Sequence, residues 1–155
     1  KTLDELIEWN KANAAESMPY FSQEILEQAA AKGDLDEQAY KDAREKALRT
    51  MRQDGIDKAI AEHELDAFVA PSNGPSWRID LVNGDNFGGG SSTPAAVAGY
   101  PAITVPAGFV QGLPVGLSIF AGAFEEPKIL RIAYAYEQAT KHRRPPEFKP
   151  TLGFA

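Results

Sequence analysis

The residues best equipped for chemistry lie between positions 77 and 92. Gly88-Gly-Gly-Ser-Ser92 sets two hydroxyls behind three glycines, just before an expected helix start at Ser92-Thr-Pro94. Free backbone N–H groups at such a place could hold an anion, and a serine there could act as a nucleophile. The plainer alternative is a flexible approach to the helix with Ser91 or Ser92 as its N-cap, and the surrounding sequence favours it. No Gly-Lys-Ser/Thr follows the glycines, so this is not a nucleotide-binding P-loop. No Gly-x-Ser-x-Gly is present to form a nucleophile elbow.

A Ser-His-Asp arrangement needs an imidazole beside the serine. The chain has only His63, between Glu62 and Glu64, and His142, in the basic run Lys141-His-Arg-Arg144. Both read as surface or helix-end residues, and two separated histidines make no zinc site. Asp80 and Asp85 flank a Gly-Asn loop, where carboxylates can do acid–base work or simply turn the chain. Asp85-Asn-Phe-Gly lacks the alternating ligands of a calcium loop. Trp77, Arg78 and Phe87 add large side chains to an irregular, Gly-rich segment, a setting that suits either a pocket mouth or a loop folded back on the core.

The elements that would position these groups follow from pattern. Thr2-Leu-Asp-Glu5 is a capping box, and Leu3, Leu6, Ile7 and Asn10 continue a helix over 3–14. Pro19-Tyr-Phe21 breaks it. Ser22 suits the N-cap of a short helix with Ile25, Leu26 and Ala29 on one face, ended by Gly33. A long helix starts near Asp36, with Tyr40, Ala43, Ala47, Leu48 and Met51 as its apolar positions. Its other face offers Glu37–Lys41, Asp42–Lys46, Glu45–Arg49 and Asp54–Lys58 at i,i+4. Gly55 interrupts this helix and is expected to split it.

From Leu65 the pattern changes. Asp66-Ala-Phe-Val-Ala70 before Pro71 reads as a buried strand, 72–92 as loop, and Ala95–Ala98 as a short helix stopped by Gly99. Ala102–Val105 and Val115–Phe120 are further strands, joined by a hairpin-like return at Gln111–Pro114. The closing helix has Glu125, Glu126 and Pro127 at its start, basic residues at its end, and Ile129, Ile132, Ala133 and Tyr136 along its buried stripe.

Composition bounds the function. With 155 residues, 43% hydrophobic and 25% charged, the chain can bury a core of ordinary size. A net charge of −6 and one short basic run argue against nucleic acid, which needs clustered Lys and Arg. The absence of cysteine removes disulfides, thiolate metal sites and a Cys nucleophile, and fits a cytoplasmic protein. No apolar run is long enough to cross a membrane.

Gly99-Tyr-Pro-Ala-Ile-Thr-Val-Pro-Ala-Gly108, followed by Gly112-Leu-Pro-Val-Gly-Leu-Ser118, resembles the C-terminal core of the amidase-signature family. Asp66-Ala-Phe-Val-Ala-Pro71 resembles that family's preceding strand, and Leu130 through Arg143 its closing helix. Leu3-Asp-Glu-Leu-Ile-Glu-Trp-Asn10 and Tyr20-Phe-Ser-Gln-Glu24 extend the likeness over nearly the whole chain. The resemblance implies an α/β fold: the C-terminal part of a mixed sheet flanked by helices, mainly helical over 1–64 and strands plus helices over 65–155. It implies one amidase-signature domain of which 1–155 is the C-terminal fragment.

It also implies hydrolysis of a carboxamide by a Ser nucleophile, a second Ser on a cis peptide and a neutral Lys, with no cofactor and no metal. That Lys, the glycine-serine signature and the nucleophile loop precede the matched region in the family and have no counterpart here, so no catalytic residue is expected in this chain. Gly89-Gly-Ser-Ser92 imitates the signature but stands where the family has a substrate-side loop. Trp77, Asp80 and Phe87 are expected to form part of the wall that receives a small amide substrate. Cut strands should leave open edges, so self-association is expected of the fragment. The rival readings are a stand-alone, non-catalytic binding module and an amidotransferase protein of the A type.

Overall fold

A computed structural model describes residues 1–147. The polar tail expected after Pro145-Pro146 lies, from residue 148 on, outside the described residues. Residues 1–44 and the residues from 45 on form two compact units.

The first unit is helical. Helix α1 (Leu3–Ala12) starts in the expected capping box: the Glu5 amide donates to Thr2 Oγ1 (3.2 Å) and the Thr2 amide to Glu5 Oε2 (2.9 Å). It stops two residues short of expectation, at the Asn13 cap, and a one-turn helix α2 (Ala14–Ser17) follows. Helix α3 (Glu24–Ala30) is capped by Gln23, not Ser22, whose hydroxyl instead bonds the Glu24 carboxylate. Its expected apolar face is not a buried one, since Ile25 is 75% exposed. The small core here is Ile7, with the buried Gln23 donating to the Ile7 carbonyl (3.0 Å) and accepting from Asn10 Nδ2 (2.9 Å).

Helix α4 (Gln38–Met51) buries no side chain. The expected i,i+4 partners are exchanged: Lys41 pairs with Asp36 and Arg49 with Asp54, both five apart, while Lys58 keeps i,i+4 spacing but pairs with Glu62 rather than Asp54. For Arg49 the cause is visible at Gly55. The helix is not broken there but widens into one π-helical turn, Arg52–Ile56, before α5 (Asp57–His63). A Cβ at Gly55 would lie 2.7 Å from the Thr50 carbonyl oxygen, so the wide turn needs a glycine. The Arg49–Asp54 spacing of five matches a π-turn rather than an α-turn.

The second unit is built on an antiparallel sheet of order β1-β3-β2. Strands β2 (Ala102–Val110) and β3 (Leu113–Phe120) form a hairpin through Gln111 (φ 50°) and Gly112 (φ 79°), a two-residue turn with both residues left-handed. Among the described residues strand β1 (Phe68–Pro71) pairs only with β3, Phe68 opposite Phe120 and Ala70 opposite Ser118. It is an edge strand with Val69 63% exposed, which corrects the expectation of a buried strand over 66–70.

Alternation along the strands gives the sheet two apolar faces. On one, Val105 and Ile119 pack with Ala121 against Ile129 and Ala133 of helix α7 (Glu126–Thr140). On the other, Phe120 stacks on Phe68 (ring centroids 5.0 Å apart) and packs with Ile56 and with Ala95 and Ala98 of helix α6 (Thr93–Ala98). The basic run falls just past α7 rather than in its last turn. Lys141 takes the left-handed cap position, and Arg144 lies over the Phe109 ring at 4.3 Å.

Candidate functional site

The segment between β1 and α6 is tied at its neck. The Ser72 amide donates to the Gly116 carbonyl (2.8 Å), the Ser91 amide donates to the Ser72 carbonyl (3.1 Å), and Asn73 bridges Gly90. A Cβ at Gly90 would make the Asn73 carboxamide turn aside and would lie 3.2 Å from the Ser72 carbonyl oxygen, so the neck is closely packed there. Beside the neck three hydroxyls close a triangle: Ser72 to Ser118 at 2.7 Å, Thr104 to Ser118 at 3.1 Å and Ser72 to Thr104 at 3.3 Å. Each hydroxyl can donate once and accept at least once, so the triangle satisfies itself.

Above the neck the loop has its own internal structure. The Trp77 indole N–H donates to Asp85 Oδ1 (3.1 Å), and Phe87 meets the Trp77 ring edge-on, with centroids 5.9 Å apart. The structure therefore brings Trp77 and Phe87 together, as a half-buried indole under a phenyl ring that is 61% exposed. Asp80 serves the loop itself. Its Oδ1 accepts from the Val82 and Asn83 amides and its Oδ2 from the Asn83 side chain, all at 2.9 Å. Those donors, the Asn83 side chain first, hold the Asp80 carboxyl down at about 2. With both Asp80 and Asp85 engaged inside the loop, its outer surface is largely apolar: Ile79, Leu81 and Val82 are all more than half exposed.

The serines behave as a helix start, not a catalytic pair. Ser92 occupies the N-cap of α6 but makes no side-chain cap bond, and Ser91 Oγ is closed off from solvent without a hydrogen-bond partner. His63 ends α5, and His142 sits against Tyr136 with ring centroids 6.5 Å apart. Neither hydrogen-bonds a serine among the described residues. No group of three or more His, Asp or Glu that could hold a metal occurs among the described residues either. Among them no helix is long and apolar enough to cross a membrane.

Three contacts are not legible in the sequence. Asp85 is visible there as half of a carboxylate pair, but only the fold shows that it binds Trp77. The hydroxyl triangle joins residues 14 to 46 positions apart and exists only through strand register. The third is Arg52, whose Nε donates to the Ala98 carbonyl at the end of α6 (2.6 Å).

The model of one protein family, Amidase, matches residues 1–130. The chain belongs to the amidase family. It is 35% identical over 150 residues to a probable amidase of Arabidopsis thaliana, covering 96% of this chain and 26% of that protein. It is 36% identical over 107 residues to the A-type component of the glutamyl-tRNA(Gln) amidotransferase of Methanosarcina barkeri, covering 64% of this chain and 22% of that protein. The fold superposes on the crystal structure of the peptide amidase of Stenotrophomonas maltophilia with a TM-score of 0.86 and 46% identity, over 96% of this chain and 30% of that one. The chain thus spans less than a third of the length of each of these relatives. The family match and the superposition bear out the resemblance and the α/β fold expected from the sequence.

Proposed function

We propose that these residues are the C-terminal part of an amidase-signature hydrolase that cleaves the C–N bond of a carboxamide. The observation that carries this reading is the superposition over 96% of the chain on a peptide amidase at 46% identity. Under it, 1–155 completes a single domain whose nucleophilic Ser, cis-peptide Ser and Lys lie in the preceding part. The Ser attacks the carbonyl while the second Ser relays its proton to the neutral Lys, the proton returns by the same relay to the amide nitrogen so that ammonia leaves, and water opens the acyl-enzyme. This segment supplies wall rather than chemistry. Trp77 and Phe87 offer an aromatic corner to the acyl side of the amide, and Asp80 holds the turn that presents them. The likeness to a peptide amidase supports a peptide amide as substrate, and the cysteine-free composition supports a cytoplasmic setting.

The amidotransferase reading ranks lower. Its likeness covers 64% of the chain, and the net charge of −6 offers no basic face for tRNA. Apart from the rest of the domain, the free edge of β1 and the exposed Val69, Phe124 and Tyr134 favour self-association. Sedimentation of the chain alone tests this: a concentration-independent monomer refutes it.

A chimera tests the main reading. This chain replaces the matching 30% of the Stenotrophomonas maltophilia enzyme, and release of ammonia from a peptide amide is measured. The chimera is expected to hydrolyse the amide and this chain alone to be inert. Hydrolysis by the chain alone, abolished by Ser91→Ala or Ser92→Ala, would overturn the proposal.

A further inference from the structure

The π-turn has a task that the loop chemistry does not explain. In an α-helix, residues five apart point roughly 140° away from each other around the axis. Widening the turn with an i→i+5 bond brings them towards one side. Here the pair is Arg52 and Asp57, and both reach the same short stretch of chain. Arg52 Nε donates to the Ala98 carbonyl, the last residue of α6, at 2.6 Å. Its guanidinium lies over the Tyr100 ring, 5.5 Å from the centroid, and packs beside Gly99. Tyr100 in turn donates its phenol hydrogen to Asp57 Oδ2 at 2.9 Å. Burial first, and the Asp57 bond second, raise the Tyr100 hydroxyl above its usual value, so it stays protonated as a donor.

Two glycines make this clamp fit. Gly55 allows the wide turn, and Gly99, at φ 69°, ends α6 in the left-handed region while leaving room for the Arg52 side chain, whose Nη2 would lie 3.3 Å from a Cβ there. A cation on the terminal carbonyl also complements the helix dipole. Helix α6 has only six residues and is about 9 Å long. Whatever fixes its C-terminal end fixes its N-terminal end too, where Ser91 closes the neck of the loop that carries Trp77 and Phe87.

We propose that Arg52, Asp57 and Tyr100 are positioning residues: they pin α6 from its C-terminal end and thereby set the loop over 72–91 against the amide substrate. The part of this that concerns substrate rests on the amidase reading above; the pinning of α6 does not. Asp57→Ala and Tyr100→Phe each remove the same hydrogen bond, whereas Asp57→Asn keeps an acceptor oxygen for the phenol. Arg52→Lys keeps the charge but loses the flat guanidinium over Tyr100.

Two measurements are made on this set. In the chain itself, amide hydrogen exchange at Ala96, Gly99 and Tyr100, whose N–H groups bond within α6, is expected to speed up about tenfold in Asp57→Ala and Tyr100→Phe and to stay near wild type in Asp57→Asn. In the active chimera, well below its melting temperature, the first two variants are expected to lose about tenfold or more in kcat/KM, carried mainly by KM, with recovery in Asp57→Asn. Unchanged exchange in Asp57→Ala and Tyr100→Phe overturns the pinning, whether or not any amide is hydrolysed. Faster exchange with unchanged kcat/KM overturns the positioning role and leaves the clamp a matter of stability alone. A wild-type chimera without activity would refute the amidase reading instead, and the exchange measurement would still decide the clamp.

Discussion

Residues 1–44 and the residues that follow are held by different physics. The first unit is secured by short-range devices: a capping box on α1, a buried glutamine that bonds the α1 backbone, and surface ion pairs. Ile7 is its buried aliphatic side chain. The second unit is secured by burial. Ile119, Ala121 and Ala98 are wholly enclosed, and two clusters sandwich the sheet. Caps contribute about 0.5–2 kcal/mol each, exposed ion pairs little, and a fully buried aliphatic side chain roughly 1.5–3 kcal/mol. The contrast says where the chain can be wounded. The sheet unit should fail by loss of volume, the helical unit by loss of single hydrogen bonds.

The two tryptophans allow the regions to be read apart, since Trp9 belongs to α1 and Trp77 to the loop beside the sheet. The largest effect is expected from Ile119→Ala, about 2–5 kcal/mol, because the side chain has no exposed surface and its cavity is walled by strands and α7. Urea unfolding followed by Trp77 in a W9F background measures it. A loss below about 1 kcal/mol would mean that the sheet core is not what holds this region, and the contrast would collapse.

Overpacking should act more gently. A Cβ at Gly116 would lie 2.7 Å from Thr104 Cγ2 and 2.8 Å from Ser72 Oγ, so Gly116→Ala must push the hydroxyl triangle apart. It is expected to cost about 1–3 kcal/mol by the same assay. Thr104→Ser removes the methyl group and should recover part of that loss. If the double variant is no better than Gly116→Ala, the strain lies with Ser72 and the loop neck instead.

These two sites also show what can be read in advance. The presence of the strands, a return within Gln111–Pro114 and the capping box are legible because each is a local pattern with a local cause, although β2 runs on to Val110, β3 already starts at Leu113 and β1 lies at an edge. The π-turn is not. Gly55 signals a weakness in a helix, but only the docking of Arg52 and Asp57 onto α6 explains why the helix widens rather than ends. The Arg49–Asp54 pair departs from i,i+4 spacing for the same reason, since a wider turn changes which residues are neighbours. Trp77 and Phe87 stand out as large side chains in a loop of small ones, and they do meet. That Asp80 turns inward to backbone amides depends on the local path of residues 80–83, which composition does not fix.

On the helical side, Thr2→Ala removes the acceptor for the Glu5 amide and leaves Glu5 without its fixed partner geometry. About 1 kcal/mol is expected, seen by Trp9 in a W77F background and not by Trp77 in the W9F background. A change in both signals would show that the regions report on one another and would blur the distinction.

The smallest effect concerns acid. Asp80 has a folded value of about 2, below its ordinary value of 3.8, because amide donors favour the charged form. A carboxyl depressed in the folded state contributes stability that is complete above its unfolded value and disappears as pH falls through the folded one. The loop should therefore keep its full Asp80 contribution above about pH 4 and lose it between about pH 4 and pH 2. Carboxyl resonances followed by NMR should place the Asp80 midpoint near the lower limit, and Trp77 emission in the W9F background should shift over the same interval. In D80N that shift should vanish, since no charge remains to be titrated. A midpoint near the ordinary value would show that the amides of Val82 and Asn83 do not hold the carboxylate in solution. The turn that presents Trp77 and Phe87 would then owe its shape to Gly84 (φ 79°) and the indole–Asp85 bond instead.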